Sequence, residues 1–200
     1  MESTYANKIF TIGHSNHTIE HFLSLLEKHH IDVLVDTRSS PFSKFSPQFN
    51  QQNLKLFVQE TGKKYLFLGL ELGGKPKDQT FYDDDGYVLY WKIAESELFQ
   101  SAIRKIRNGI KHHAVAVLCS EEDPLHCHRR LLIGRVLQEQ GVDLLHIRGN
   151  GEIQPESEIA YGTGSDVNQL NIFGAPAEEQ PWRSIQSVSQ KKPQLSSLAP

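Results

Sequence analysis

The stretch "IDVLVD" (Ile31–Asp36) decides the architecture. It is an apolar run of strand length closed by an acidic residue, without the polar–apolar alternation of a half-exposed strand. Such a run belongs to a strand covered on both faces, as in parallel sheets. Working outward, comparable runs appear at "KIFTIG" (8–13) upstream and at "KKYLFL" (63–68), "AVAVLC" (114–119) and "VDLLHI" (142–147) downstream. Helical patterns separate them. Ile19, Phe22, Leu23 and Leu26 recur at helical spacing, with Thr18 placed to cap them. A second helix from about Asn53 presents Leu54, Phe57 and Val58, and Gly62 stops it. One or two helices span roughly 87–111, and another leads to Gly141. Alternating strands and helices predict an α/β fold: a Rossmann-like three-layer sandwich around a mostly parallel sheet of about five strands.

The apolar residues are unevenly spread. Of 200 residues 38% are hydrophobic, and nearly every apolar run falls before residue 150. Residues 1–150 are therefore read as a single α/β domain, and 151–200 as a largely disordered polar tail. "GNGEIQPESEIAYGTGSDVNQ" and the Ser/Gln/Pro-rich "SIQSVSQKKPQLSSLAP" bury too little apolar surface to offset ordering entropy. The net charge of −3 excludes a global nucleic-acid footprint, so any such contact is local. No run approaches membrane-spanning length, no signal peptide is visible, and the two cysteines are expected as reduced thiols in a cytoplasmic protein.

In open parallel sheets ligands gather beyond the carboxyl ends of the strands. Those junctions hold most of the unusual polar chemistry: Gly13-His14-Ser15-Asn16, Asp36 to Ser40, Leu72-Gly73-Gly74, and Cys119 to Arg130. The last of these, "CSEEDPLHCHRR", is the richest. Asp123 as N-cap and Pro124 at the first helical position would place Cys127 in the first turn of a helix. There the partial positive charge lowers a thiol pKa and attracts anions. Cys127 is thus either an activated thiolate or a small core residue. Arg129 is placed to hold a phosphate or carboxylate, or else pairs with a neighbouring acid. Glu121 is a candidate general acid or base. The spacing of Cys119, His126, Cys127 and His128 lacks the pairs of structural zinc sites, and His126 and His128 would face different sides of a helix, so no metal or cofactor is expected. "GHSN" can hold an anion or ribose, or simply cap the next helix. Asp36 and Arg38 are a structural pair or line the same cleft.

"TIGHSN", "IDVLVDTRSSPFSKFSPQFN", "LGLELGG" and "CSEEDPLHCHR" together resemble the domain-of-unknown-function family 488, from about Lys8 to His146 and in the same motif order. The resemblance implies a site and not a reaction. The site comprises His14, Ser15, Asn16, Asp36, Arg38, Pro41, Asn50, Gly73, Gly74, Cys119, Glu121, Cys127, His128 and Arg129. Thr37-Arg38-Ser39 departs from it in lacking a hydrophobic residue before the arginine. The order is also loosely similar to rhodanese domains, but the loop after Cys119 is longer and acidic where a rhodanese has a short glycine-containing cradle.

The expectation drawn from these residues is a protein that binds, and processes, a nucleotide or nucleic-acid component. Glu121, His14, Cys127 and His128 would be catalytic. Ser15, Asn16, Asp36, Arg38, Asn50, Gly73, Gly74, Cys119 and Arg129 would bind the substrate. A cysteine-dependent sulfurtransferase-like enzyme and a non-catalytic nucleotide-binding adaptor are the alternatives. In the tail, "QLNIF" resembles the bacterial sliding-clamp-binding pentapeptide, with Gln169, Leu170, Ile172 and Phe173 in the anchor positions. The same residues would otherwise pack back on the domain. A clamp partner would place the protein in DNA repair or modification by raising its local concentration on DNA.

Overall fold

The computed structural model describes residues 7–162 and 182–188. Six strands form one sheet in the order β3-β2-β4-β1-β5-β6. They are β1 (Lys8–Gly13), β2 (Val33–Asp36), β3 (Lys64–Phe67), β4 (Val115–Cys119), β5 (Asp143–Ile147) and β6 (Ile153–Pro155). The first five run parallel, and β6 closes one edge antiparallel to β5. The expected Rossmann-like α/β sandwich is thus what the chain forms. The sheet continues past residue 150, however. Ile153–Pro155 and the following helix Glu156–Gly162 lie in the stretch read as tail and pack on β5.

The unbroken apolar runs follow from burial on both faces. Val115 and Val117 of β4 join Ile9, Val35 and Leu144 on one side, and Ala116 and Leu118 join Ile12, Leu34 and Ile147 on the other. The second side is covered by α1 (Ile19–Lys28) and α2 (Gln51–Glu60) through Phe22, Leu25, Leu26, Leu54 and Val58. The first is covered by α3 (Gly69–Leu72), α4 (Tyr90–Glu95), α5 (Glu97–Gly109) and α6 (Arg135–Glu139). Thr18 caps α1 by accepting from the His21 amide, and Gly62, at φ +75°, ends α2 in the left-handed region. Ser96 separates α4 from α5 and caps the latter. Among the described residues no helix is long and apolar enough to cross a membrane.

The strand order places the site. From β1 the chain moves outward to β2 and β3, returns to insert β4 between β1 and β2, and then crosses to β5 on the far side of β1. The direction of winding reverses between β1 and β4, and in such sheets a crevice opens at that point. Gly13 and Cys119 are register partners there, at the carboxyl ends of the two strands.

Candidate functional site at the β1–β4 switch point

The two chains leaving the switch point are pinned together. The His14 amide donates to Cys119 O (3.1 Å) and the Ser15 amide to Ser120 O (2.8 Å), with Ser15 itself at φ +47°. The approach is close enough that a Cβ on Gly13 would lie 1.8 Å from the Glu121 carbonyl oxygen, so glycine is required. Beneath this loop lies Arg129, fully buried. Its Nε donates to Thr11 Oγ1 (3.2 Å), Nη1 to Glu121 O, and Nη2 to Glu122 O (2.6 Å). The guanidinium assigned to anion binding is therefore occupied in holding the 121–122 backbone. Glu122 turns away to a bidentate pair with Arg148. Glu121 turns toward the sulfur atoms.

Cys127 does not sit in a helix. Asp123 caps a short 3-10 turn (Pro124–His126), as the sequence indicates, but that turn ends at Cys127, which is extended (φ −107°, ψ 139°). A π-helical turn (Arg129–Gly134) begins beyond it and runs into α6. The break lets Cys127 and His128 double back toward the end of β4. Cys119 Sγ donates to Glu121 Oε2 at 2.7 Å, and Cys127 Sγ to the same oxygen at 3.3 Å. His128 Nδ1 lies 3.3 Å from Cys119 Sγ and 3.9 Å from Cys127 Sγ. Its Nε2 lies 3.2 Å from the Thr37 carbonyl. A carbonyl only accepts, so Nε2 carries a proton, and Nδ1 faces the two sulfurs. Burial acts downward on this ring, but the Cys127 contact and the Glu121 charge outweigh it and hold its pKa above the ordinary value. The ring packs on Gly74, where a Cβ would come within 2.7 Å of it.

Burial, reinforced by Cys119, pushes the Cys127 thiol well above its ordinary value, the reverse of the activation expected at a helix N-terminus. For Glu121 burial acts upward, but the hydrogen bond from Cys119 and other local contacts outweigh it and hold the carboxyl below its usual range. His14 is lowered to about 4, chiefly by burial and then by Arg38, and its ring stacks on Phe49 at 4.4 Å. It is therefore neutral at pH 7.

A cavity of about 420 Å³ opens over this cluster. Cys119, Glu121 and His128 form one wall, the buried Arg38 lines the interior, and the exposed Lys75 and Lys77 stand on the rim. Arg38 spends Nε (2.9 Å) and Nη2 (2.6 Å) on the buried carboxylate of Asp36, whose Oδ2 also accepts from the Tyr65 hydroxyl. Among the described residues its Nη1 has no hydrogen-bond partner. The cavity does not reach every residue expected there. Cys127 and Arg129 lie behind it, and Ser15 and Asn16 bond to each other outside it. Asn50 accepts from the Ser43 amide (2.7 Å) to shape the loop that begins at Pro41, and Gly73 packs against Ser39.

Sequence reasoning missed Lys75, Lys77, His126 and a wall made by Ser184, Ile185, Gln186 and Val188. The signal for the lysines was "GGKPK", two cations in the loop that follows the glycine pair at the end of α3. The wall is tied down by Trp182, whose Nε1 donates to Leu131 O, and by backbone bonding between Ser184 and Val88. The clamp-like residues Gln169, Leu170, Ile172 and Phe173 lie outside the described residues.

The fold and the switch-point cluster define a Rossmann-like α/β protein with a polar site at the carboxyl edge of its sheet. Residues 18–136, more than half of the chain, match the family described as Domain of unknown function DUF488, and the chain belongs to that family. No curated protein and no solved structure matches it.

Proposed function

We propose that this protein binds a phosphate-bearing ligand of the nucleotide class in the switch-point cavity and processes it by acid–base chemistry at Glu121. One observation carries the reading: the cavity sets two exposed lysines, Lys75 and Lys77, at the mouth of a space lined by buried Arg38 and by a carboxylate held below its usual range by its neighbours. Its volume of about 420 Å³ is of the size that small-molecule sites occupy. Arg38 takes the anion-holding role first given to Arg129, because it lines the cavity and Asp36 fixes its plane. Ionised Glu121 acts as base toward a water or hydroxyl drawn between it and the bound phosphate. Recruitment to a sliding clamp, and with it a place in DNA repair or modification, is supported by the "QLNIF" pentapeptide.

Calorimetric titration of the full chain with nucleoside mono- and diphosphates and short single-stranded oligonucleotides tests the reading. Binding should appear for at least one of them, and Lys75→Ala/Lys77→Ala should lose it. Glu121→Gln should keep binding and lose turnover. Equal affinity in the wild type and the lysine double variant, or no binding by any of these ligands, would overturn it.

A further inference from the structure

We propose that Cys119, Cys127 and His128 Nδ1 form a binding site for a divalent cation of the zinc class. The inference stands apart from the nucleotide reading, since it uses neither the cationic rim nor Glu121.

Convergence of the ligand atoms is the first argument. The two sulfurs and His128 Nδ1 all lie within 4.8 Å of one another. A tetrahedral zinc ion with Zn–S of about 2.3 Å and Zn–N of about 2.0–2.1 Å needs sulfur and nitrogen about 3.6 Å apart. The two S···N distances here, 3.3 and 3.9 Å, fall on either side of that value. Glu121 Oε2 lies 2.7 and 3.3 Å from the same sulfurs, on the cavity side. Glu121 lies outside the converging set, so the three protein ligands leave the fourth position to water or a substrate on the cavity side.

The orientation of the imidazole is the second argument. A metal-bound histidine donates its other ring N–H to a carbonyl or carboxylate, which fixes the tautomer. His128 does this through Nε2 to Thr37 O (3.2 Å). Thr37 is itself fixed, because its hydroxyl donates to Leu118 O (2.8 Å). Gly74 then seats the ring from the opposite side. Nδ1 is thereby turned to the two sulfurs.

Donor chemistry selects the ion. Two thiolates and an imidazole suit zinc and disfavour magnesium or calcium, which take oxygen. Binding replaces the two S–H protons with two S–metal bonds and releases both protons to solvent. The argument that His126 and His128 face different sides assumed a helix there. The 3-10 turn and the extended Cys127 remove that assumption.

Cobalt(II), then zinc(II), titrated into the reduced, metal-stripped full chain without nucleotide tests the site. One equivalent of cobalt should give an intense tetrahedral visible spectrum with a thiolate charge-transfer band. Zinc should bleach that spectrum and release about two protons. Cys127→Ser and His128→Ala should each weaken zinc binding roughly 100-fold or more in a chelator competition. Circular dichroism checks that both variants remain folded. Where one does not, Cys119→Ser and protection of both thiols from alkylation by zinc in the wild type decide the matter. Lys75→Ala/Lys77→Ala, which serves the nucleotide reading, should leave the cobalt spectrum intact. A weak octahedral spectrum, unchanged affinity in folded cysteine variants, or thiols alkylated equally fast with and without zinc would overturn the site.

Discussion

Two polar networks lie under the same sheet edge and are built to opposite ends. On the β1–β5 side, Arg129 Nε donates to Thr11 Oγ1, Thr11 donates to His146 Nδ1 (2.7 Å), and His146 Nε2 donates to Glu156 Oε2 (2.8 Å). Arg130 closes the chain on Glu156 Oε1 (2.8 Å). Each of these donors meets an acceptor that the protein itself supplies, and Glu156 pairs the Arg130 charge. On the β4 side, two thiols donate to Glu121, an imidazole nitrogen faces the sulfurs, and the cluster opens to a cavity. The first network is closed within the protein. The second borders open space, so its groups can meet a bound species. The closed network should therefore answer to stability measurements and the open one to binding and turnover.

The sharpest way to break that contrast is Arg129→Met. It leaves the carbonyls of Glu121 and Glu122 and the Thr11 hydroxyl without their donor in a buried place. The expected loss is about 3–5 kcal/mol in urea unfolding, with an unfolded protein as the extreme case. A loss below about 1 kcal/mol would mean that the two networks are not functionally distinct. Next in size is Glu121→Gln in the open cluster. Turnover of whichever nucleotide binds should fall about 100-fold, equivalent to about 2.7 kcal/mol in the barrier. Thermal stability should shift far less than in Arg129→Met. If the melting temperature collapsed instead, Glu121 would belong with the structural set.

How much of this was legible in the sequence varies with the kind of interaction. Continuous apolar runs such as "AVAVLC" betray strands covered on both faces, because alternation vanishes when both faces are buried, so the parallel sheet was readable. Thr18 and Gly62 were readable because caps and left-handed stops are local. The strand ends also pointed to the sheet edge where the cavity opens. Sequence could not tell what each polar group is occupied with. Arg129 and Arg38 look equivalent as letters, yet one holds backbone carbonyls and the other presents an edge to a cavity. That difference depends on long-range packing. Cys127 was misplaced for a different reason: Asp123-Pro124 reads as a helix start, and the 3-10 turn it does start stops after three residues. The sixth strand and the 182–188 wall were missed because each is short and surrounded by polar residues.

The closed network should also leave a signature in pH. Burial lowers the pKa of His146, and although Glu156 feels burial upward, hydrogen bonds from His146 and Arg130 outweigh it and hold it below the usual range. Both groups have folded values below their unfolded ones. Their contribution is therefore present above the unfolded values and is lost as pH falls through the folded ones. Glu156→Gln should cost about 2 kcal/mol at pH 7 and, by removing the carboxylate that raises His146, steepen the decline of stability between pH 7 and pH 4. Denaturant midpoints from pH 7 down to pH 4 would show it. A variant whose midpoints decline in parallel with the wild type would place the acid sensitivity elsewhere in the molecule.

The smallest effect sharpens the comparison from the side of the cavity. Lys77 is exposed on the rim, beside Arg38 and Lys75, with no buried partner to strand when it is removed. Lys77→Ala should leave unfolding free energy within about 0.5 kcal/mol of the wild type. It removes one rim charge near a bound phosphate, and at high effective dielectric that is worth about 1 kcal/mol, or roughly fivefold in affinity. Because the charge is solvent-exposed, the difference between variant and wild type should shrink as salt rises from 50 to 500 mM, while the deficit caused by Glu121→Gln in turnover should not. A Lys77 deficit that persists at high salt would mean a desolvated contact, and the rim would then be a built subsite rather than a field that draws the ligand in.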